Sequence, residues 1–402
     1  SLSVYAATGG AISIASGRVS FAMGLHGPCE SIDTACSSAI VALHSAALFI
    51  GARDCQKALT LAASIILTPH VSISYALAGM LAPDGRCKTF DARANGYVRG
   101  EGACGLVIAC SGQLEANLRF AGSAVRQDGK SASLTAPNGS EQTILLGLAL
   151  ARAAIFMASF SGVESHGTGT ALGDPTEARA LAQVLPGQDG HRMLGGVKAN
   201  LGHLEPAAGL AGLIKSLDML LDERGAPNAQ LRILNPHVEV CLGAGMGVPS
   251  TVVALQRLER ASAGTSSFGY SGTIGHAVIA IMQGQLALTA PANTILRRRS
   301  FSWYMMQQNT SPATTATSHS GWREPPFLGR RVAGSSDDEL LWEQQLAAHE
   351  LMFLQNHCVG RVALLPGTCY IEMARSMVGA ICGDTAFALV NVIFTAIMFL
   401  DE

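Results

Sequence analysis

Up to about Gln283 the chain is a series of short apolar runs broken by glycine turns, dominated by Gly and Ala, and this texture constrains the fold more than any other feature. It is the pattern expected where helices and strands alternate and pack closely, an α/β architecture. Hydrophobic residues make up 49% of the chain and charged residues only 14%, so much apolar surface must be hidden, inside the chain or against a partner subunit. Disorder of the whole chain is excluded. Twenty-seven Lys plus Arg against 29 Asp plus Glu leave a net charge of −2, so no global field draws the protein to nucleic acid or to an anionic membrane.

Four hundred and two residues leave room for two or three domains. Composition changes after Ala292: Leu296–Arg299 brings three arginines together, and Asn309–Ser320 is almost all Ser, Thr, Ala, Asn and Pro, a linker composition. A second globular stretch opens near Trp322, and apolar residues recur at helical intervals over Glu339–Leu354. Ten cysteines contain no C-x-x-C pair and no framework of short even spacings, which implies a reducing, cytoplasmic compartment. The first twenty residues lack the charged and apolar regions of a signal peptide. The longest apolar stretch, Phe387–Leu400, runs 14 residues and includes Asn391 and Thr395, too short to span a bilayer.

Three segments carry chemistry. Glu30–Ala52 (ESIDTACSSAIVALHSAALFIGA) reads as a short strand, a turn and a helix that is apolar almost all round and therefore buried, with Cys36 at the junction. A thiol there faces unpaired N–H groups and the positive end of the helix dipole, which favour thiolate. In Val163–Ala178 (VESHGTGTALGDPTEA) a strand leads to His166, and small hydroxyl residues Thr168 and Thr170 alternate with glycines, suited to a narrow tunnel that hydrogen-bonds an amide-bearing arm. Pro175 suits the first turn of a following helix. Gly196–Leu213 (GVKANLGHLEPAAGLAGL) places Lys198 and His203 around a glycine turn ahead of a small-residue helix that can pack tightly against another. An ammonium near the imidazoles disfavours their protonation, and Glu205 is the candidate to hold that lysine.

Each segment alone has a structural reading: a core cysteine, a satisfied loop histidine, a surface Lys/Glu pair. In this order, however, DTACSSA, HGTGTALGDP and VKANLGHLEPAAG resemble the β-ketoacyl synthase (ketosynthase) domain of polyketide synthases, relatives of fatty-acid condensing enzymes. The resemblance runs from Tyr5 through AGMLAPDGRCKTFDARANGYVRGEG and SLTAPNG to SSFGYSGT. It implies a thiolase-like α/β fold that lacks its N-terminal part. By the resemblance Cys36 takes an acyl group from the phosphopantetheine arm of an acyl carrier protein, with no bound cofactor and no metal. His166 and His203 donate to the enolate formed when a malonyl-type extender loses CO2, and backbone N–H groups of Cys36 and Tyr270 hold the tetrahedral oxyanion. Thr168 and Thr170 grip the pantetheine, Lys198 sits by the histidines, and Tyr270 is the aromatic gate. The implied partners are the carrier protein and a second subunit or larger synthase assembly, with no nucleic acid or membrane.

Two departures stand out. Ile274 occupies a position where the family commonly has an Asn that ties the gate loop, and several elements that usually precede Tyr5 are absent, which exposes strand edges unless another chain covers them. After the linker, PFLGRRV and Leu351–Ala374 resemble the opening of a polyketide synthase dehydratase, an α+β hot-dog fold in which His357 is the base. Pro366 keeps its place there, but Arg361 replaces a glycine and Gly360 lies one residue early. The partner aspartate belongs to a second repeat beyond Glu402, so no dehydration is expected from this chain alone. The expected division is 1–285 ketosynthase, 286–321 linker and 322–402 dehydratase start. Other readings remain open at this level: an inactive synthase fragment or interaction module, a Cys-His hydrolase, and, more remotely, a zinc site.

Overall fold

The computed structural model describes residues 6–110, 118–185, 192–243, 245–255 and 260–282, together with four two-residue strands nearer the C-terminus. The chain divides into Tyr5–Thr294 and a second unit that holds Ile295–Glu402. In the first unit the helices are α1 Ala6–Gly10, α2 Ser13–Met23, α3 Ser38–Ala52, α4 His70–Leu77, α5 Gly139–Ala153, α6 Gly173–Val184, α7 Lys198–Leu201, α8 Ala208–Asp222 and α9 Pro236–Leu242. The strands are β1 Lys57–Ser64, β2 Gly102–Ala109, β3 Leu118–Gln127, β4 Phe160–Glu164, β5 Arg192–Gly195, β6 Arg224–Gly225, β7 Met246–Gly247, β8 Val253–Ala254, β9 Arg260–Phe268 and β10 Thr273–Met282.

Six of these strands form one mixed sheet in the order β3-β10-β9-β4-β5-β7. Its β3-β10-β9 half is antiparallel and its β9-β4-β5-β7 half parallel. Strand β4 is buried at every position, as a central strand covered on both faces must be. Alternation along β10 feeds two cores: Ile274 and Val278 join Leu145, Leu146 and Leu181 of α5 and α6, whereas Ala277, Ile279 and Ile281 join Ile40, Leu43, Leu210 and Leu213 of α3 and α8. Side-chain caps start α5, where Asn138 accepts from Ser140 and Glu141, and α9, where Asn235 accepts from His237.

Helix α3 is wedged by a single side chain. A Cβ on Gly209 of α8 would lie 2.6 Å from Ile40 Cγ1, and one on Gly275 of β10 would lie 2.7 Å from Ile40 Cγ2. The close packing expected of the small-residue helix is therefore an α8–α3 contact built around Ile40. The all-round burial expected of α3 holds for one face only: Ala39, Ile40 and Leu43 are buried, while Leu48 is 59% exposed. Residues Ala35–Ala52 are long and apolar enough to cross a membrane by length and composition, but their buried face belongs to this core.

Strands β1 and β2 form a separate antiparallel pair, Lys57 opposite Ala109 and Ser64 opposite Gly102. Ala62, Cys104, Leu106 and Ile108 pack towards α3 and α8, and Leu61 and Val107 point outward, about half exposed. The short strand expected at the start of Glu30–Ala52 does not form; only an isolated bridge links Thr34 and Cys36, where the backbone turns sharply. In the second unit β11 (Arg330–Arg331) pairs with β12 (Trp342–Glu343) and β13 (Cys358–Val359) with β14 (Val362–Ala363), both antiparallel. Trp342 and Glu343, inside the stretch with helical spacing, are thus strand residues, held by pairing to a distant segment and not by local periodicity. The linker 286–321, His357 and Arg361 lie outside the described residues.

Candidate active site

Cys36 is positioned by a strained turn. Ala35 has φ +56, in the left-handed region that costs a non-glycine residue about 1–2 kcal/mol. The turn is over-determined by hydrogen bonds: Ala35 N–H donates to Asp33 Oδ1 (3.0 Å), Thr34 N–H to Ser38 Oγ (2.9 Å) and Ser38 Oγ to the Ala35 carbonyl (2.6 Å). Ser267 Oγ of β9 donates to the Cys36 carbonyl at 2.6 Å. Turn and helix together deliver the thiol, 8% exposed, to the C-terminal ends of β4 and β9.

Cys36 Sγ lies 3.1 Å from His203 Nε2. His203 Nδ1 accepts the Glu205 backbone N–H (3.1 Å), so the neutral ring carries its proton on Nε2 and donates to sulfur. His166 Nδ1 likewise accepts the Phe268 N–H (3.2 Å), which leaves its Nε2 a donor. The two rings sit edge to face with centroids 5.6 Å apart, backed by Tyr97 at 5.1 Å from His203 and Phe268 at 5.3 Å from His166. Burial holds both imidazoles well below the usual histidine range, and the Lys198 charge pushes the same way. They are neutral donors, for a reason in which burial leads and the lysine seconds.

Burial also decides the state of the sulfur. The expectation of a thiolate at a helix N-terminus is corrected: desolvation pushes Cys36 up to about 11, against the opposing pull of Lys198 and of the Tyr270 and Cys36 backbone N–H groups. At neutral pH the side chain is a neutral thiol. Those same N–H groups converge on sulfur, so any oxyanion formed at an attached carbonyl would meet them. Gly269 makes the approach possible, since a Cβ there would lie 2.3 Å from the Thr34 carbonyl oxygen.

The His166 segment is clasped by buried carboxylates that sequence reasoning passed over. Glu177 accepts the N–H groups of His166 (2.7 Å) and Gly167 (2.9 Å), and Asp174 those of Gly169 (3.0 Å) and Phe90 (2.7 Å). Burial raises Glu177 to about 7 and Asp174 to about 6. Their signal was present as two acids in α6 directly after a glycine loop with free N–H groups. Thr168 and Thr170 stand side by side, hydroxyls 3.2 Å apart, and Thr170 Oγ1 also accepts the Gly173 N–H.

Lys198 is 3% exposed at the start of α7. Its expected partner is corrected: Glu205 pairs with Arg99, through Nε at 2.5 Å and Nη2 at 2.9 Å, and Arg99 also reaches Ser72 and lies over the Tyr75 ring. A fork of guanidinium donors fits the carboxylate bidentately, which an ammonium does not. Tyr270 is 45% exposed at the turn between β9 and β10, its ring edge-on to Tyr75. The Asn absent at Ile274 is not needed for this turn: Ile274 is fully buried in the core, while Gly269 N–H donates to the Thr273 carbonyl, Gly272 N–H to that of Gly269 and Asp128 N–H to that of Gly272. No cluster of metal-ligating side chains occurs among the described residues.

Residues 1–111 match the family description "Beta-ketoacyl synthase, N-terminal domain", residues 119–232 its C-terminal domain, and residues 325–402 "Polyketide synthase dehydratase domain". The chain is 41% identical over 292 residues to a phenolphthiocerol/phthiocerol polyketide synthase of Mycobacterium tuberculosis, covering 69% of this chain and 13% of that protein. It is 42% identical over 290 residues to the mycoketide-CoA synthase of the same organism, covering 68% and 7%. The chain thus spans a small part of these relatives. Among solved structures, the ketosynthase from module 6 of the bacillaene synthase from Bacillus subtilis 168 superposes with TM-score 0.66 at 36% identity, over 70% of this chain and 53% of that one. The oxazolomycin ketosynthase domain of Streptomyces albus JA3453 does so with TM-score 0.64 at 31% identity, over 67% and 49%. With its thiolase-like sheet and matched segments, the chain belongs to the β-ketoacyl synthase family of the polyketide synthases, with polyketide synthase dehydratase sequence in its C-terminal part.

Proposed function

We propose that residues 1–285 carry out a decarboxylative Claisen condensation and that 286–321 link them to the dehydratase-type segment 322–402. The observation that carries this reading is the contact of Cys36 Sγ with His203 Nε2 at 3.1 Å beside a second neutral imidazole, His166. A lone base beside a cysteine suits hydrolysis; two N–H donors facing one space suit an enolate. The substrate arrives on the phosphopantetheine arm of an acyl carrier protein, with the Thr168 and Thr170 hydroxyls available to its amides.

Cys36 attacks the acyl thioester carbonyl, the oxyanion is held by the Cys36 and Tyr270 N–H groups, and the thiol proton leaves with the departing pantetheine thiol. In the second half-reaction the carboxylate–carbon bond of the extender breaks, CO2 departs and the electron pair forms an enolate held by His166 and His203 Nε2–H. Its carbon attacks the acyl-Cys36 carbonyl, the carbon–sulfur bond breaks, and the thiolate released takes a proton from solvent. The seven cysteines of the described residues are all free, which supports a reducing, cytoplasmic setting. Transfer of a radiolabelled acyl group from carrier protein tests the reading: wild type takes label and Cys36→Ala does not, whereas equal labelling removes Cys36 from the mechanism.

A second reading, an inactive module that pairs with a second copy or a complete synthase subunit, is favoured by Phe21 at 91% exposure and by half-exposed Leu61 and Val107. Size-exclusion chromatography separates the two: a folded monomer counts against dependence on a partner. A role for His357 rests on the dehydratase resemblance alone.

A further inference from the structure

Glu164 takes no part in the steps above, yet it is a carboxylate only 4% exposed, on β4 two residues before His166. One oxygen accepts the backbone N–H of Val197, the residue before Lys198, at 2.5 Å; the other accepts Lys215 Nζ of α8 at 2.7 Å. The slot it fills exists because two neighbours are glycines. A Cβ on Gly195 would lie 2.2 Å from Glu164 Oε2, and one on Gly212 would lie 3.1 Å from its Cγ. The carboxylate therefore joins three elements: the strand that leads to His166, the turn that presents Lys198, and α8.

We propose that Glu164 is a positioning residue for Lys198: through the Val197 N–H it holds the turn that bears the ammonium and places a carboxylate charge at that turn. The proposal rests on the condensation reading for its consequence, though not for its test. Burial lowers the pKa of Lys198, and Glu164 leads the groups that oppose this, ahead of Glu177 of α6. Asp174 of α6 and both imidazoles feel the same ammonium in return. Since that charge helps keep His166 and His203 unprotonated, its loss would weaken the hold on their donor state.

The chain has only five lysines, at 57, 88, 130, 198 and 215, so ε-13C-lysine NMR resolves Lys198, assigned by its disappearance in Lys198→Met. In Glu164→Gln the deprotonation midpoint of Lys198 falls by on the order of one pH unit or more, the effect of removing a near opposite charge. In Lys215→Met the midpoint stays or rises, because Glu164 then has one cation fewer to serve. Opposite responses distinguish a charge role from loosened packing, which would move both variants the same way. The double variant Glu164→Gln/Lys215→Met also removes the cation that Glu164 pairs with, and repeats the fall if the single variant does not fold. An unmoved midpoint in Glu164→Gln, or an equal fall in Lys215→Met, overturns the proposal. In parallel, the alkaline limb of CO2 release from malonyl-N-acetylcysteamine thioester follows the NMR midpoint. A midpoint that falls in Glu164→Gln while the wild-type chain releases no CO2 refutes the condensation reading and leaves the positioning role standing.

Discussion

Gly209→Ala tests how the thiol–imidazole distance is set. The added methyl would sit 2.6 Å from Ile40 Cγ1, 3.2 Å from its Cδ1 and 3.4 Å from its backbone nitrogen. Carbon atoms prefer about 3.5–4.0 Å, so α3 and α8 must part by about 1 Å. Ile40 has nowhere to retreat, because its Cγ2 already fills the space where a Gly275 side chain would be. Overpacking of this kind costs about 1–3 kcal/mol. Cys36 lies just ahead of α3, four residues before Ile40, and His203 precedes α8, so the separation is passed to the 3.1 Å Sγ–Nε2 contact. Stretched to about 4 Å it reaches the outer limit for a hydrogen bond to sulfur and is weakened accordingly. A misplacement of about 1 Å is enough for losses on the order of a hundredfold in Cys36 acylation. Urea unfolding and the rate of acyl transfer to Cys36 measure the two effects. Ile40→Ala, which alone costs about 2–5 kcal/mol, should cost at least ~0.5 kcal/mol less in the Gly209→Ala background. Strict additivity of the two changes, or Gly209→Ala with wild-type stability and acylation, refutes the wedge.

Three further outcomes follow from the same geometry. Alkylation of Cys36 by iodoacetamide, followed by peptide mass spectrometry, climbs about tenfold per pH unit from neutrality towards pH 10, since burial pushes the thiol to about 11; a plateau below pH 8 would mean a thiolate at rest. Asp128 is buried with Oδ1 unpartnered and is raised to about 6, so the folded chain holds a proton that the unfolded chain gives up, and stability declines as pH rises through that window. Asp128→Asn should accordingly be more stable than wild type by about 1–3 kcal/mol at pH 8 and by nothing at pH 4, measured by urea unfolding at both pH values. Gly169→Ala forces a side chain into φ +77 and 2.7 Å from the Lys88 nitrogen, which should cost more than about 1 kcal/mol and raise KM for pantetheine thioesters through the flanking threonines; an unchanged KM would separate Thr168 and Thr170 from the arm.

Much of the site was legible because its signals are local. Cys36 at the mouth of an apolar helix, His166 between a strand and a glycine–threonine loop, and His203 ahead of a small-residue helix are each defined by a short stretch. The strand–helix alternation around β4, α6, β5 and α8 followed from the same glycine punctuation. Local periodicity misled where a residue paired outside its own stretch, as at Trp342–Glu343, and where the turn at Ala35 replaced the short strand expected at the start of Glu30–Ala52.

The linear chain, then, determined the candidate groups, their order and the α/β layering, because residue type and spacing are properties of neighbours. Tertiary structure alone decided that Cys36 rests as a thiol, that Glu205 serves Arg99 and leaves Lys198 to other carboxylates, and that Ile40 sets the spacing of α3 and α8. Desolvation is summed over every surrounding atom, and ion pairs and wedges join segments far apart in the chain. Neither quantity exists until the layers have closed around them.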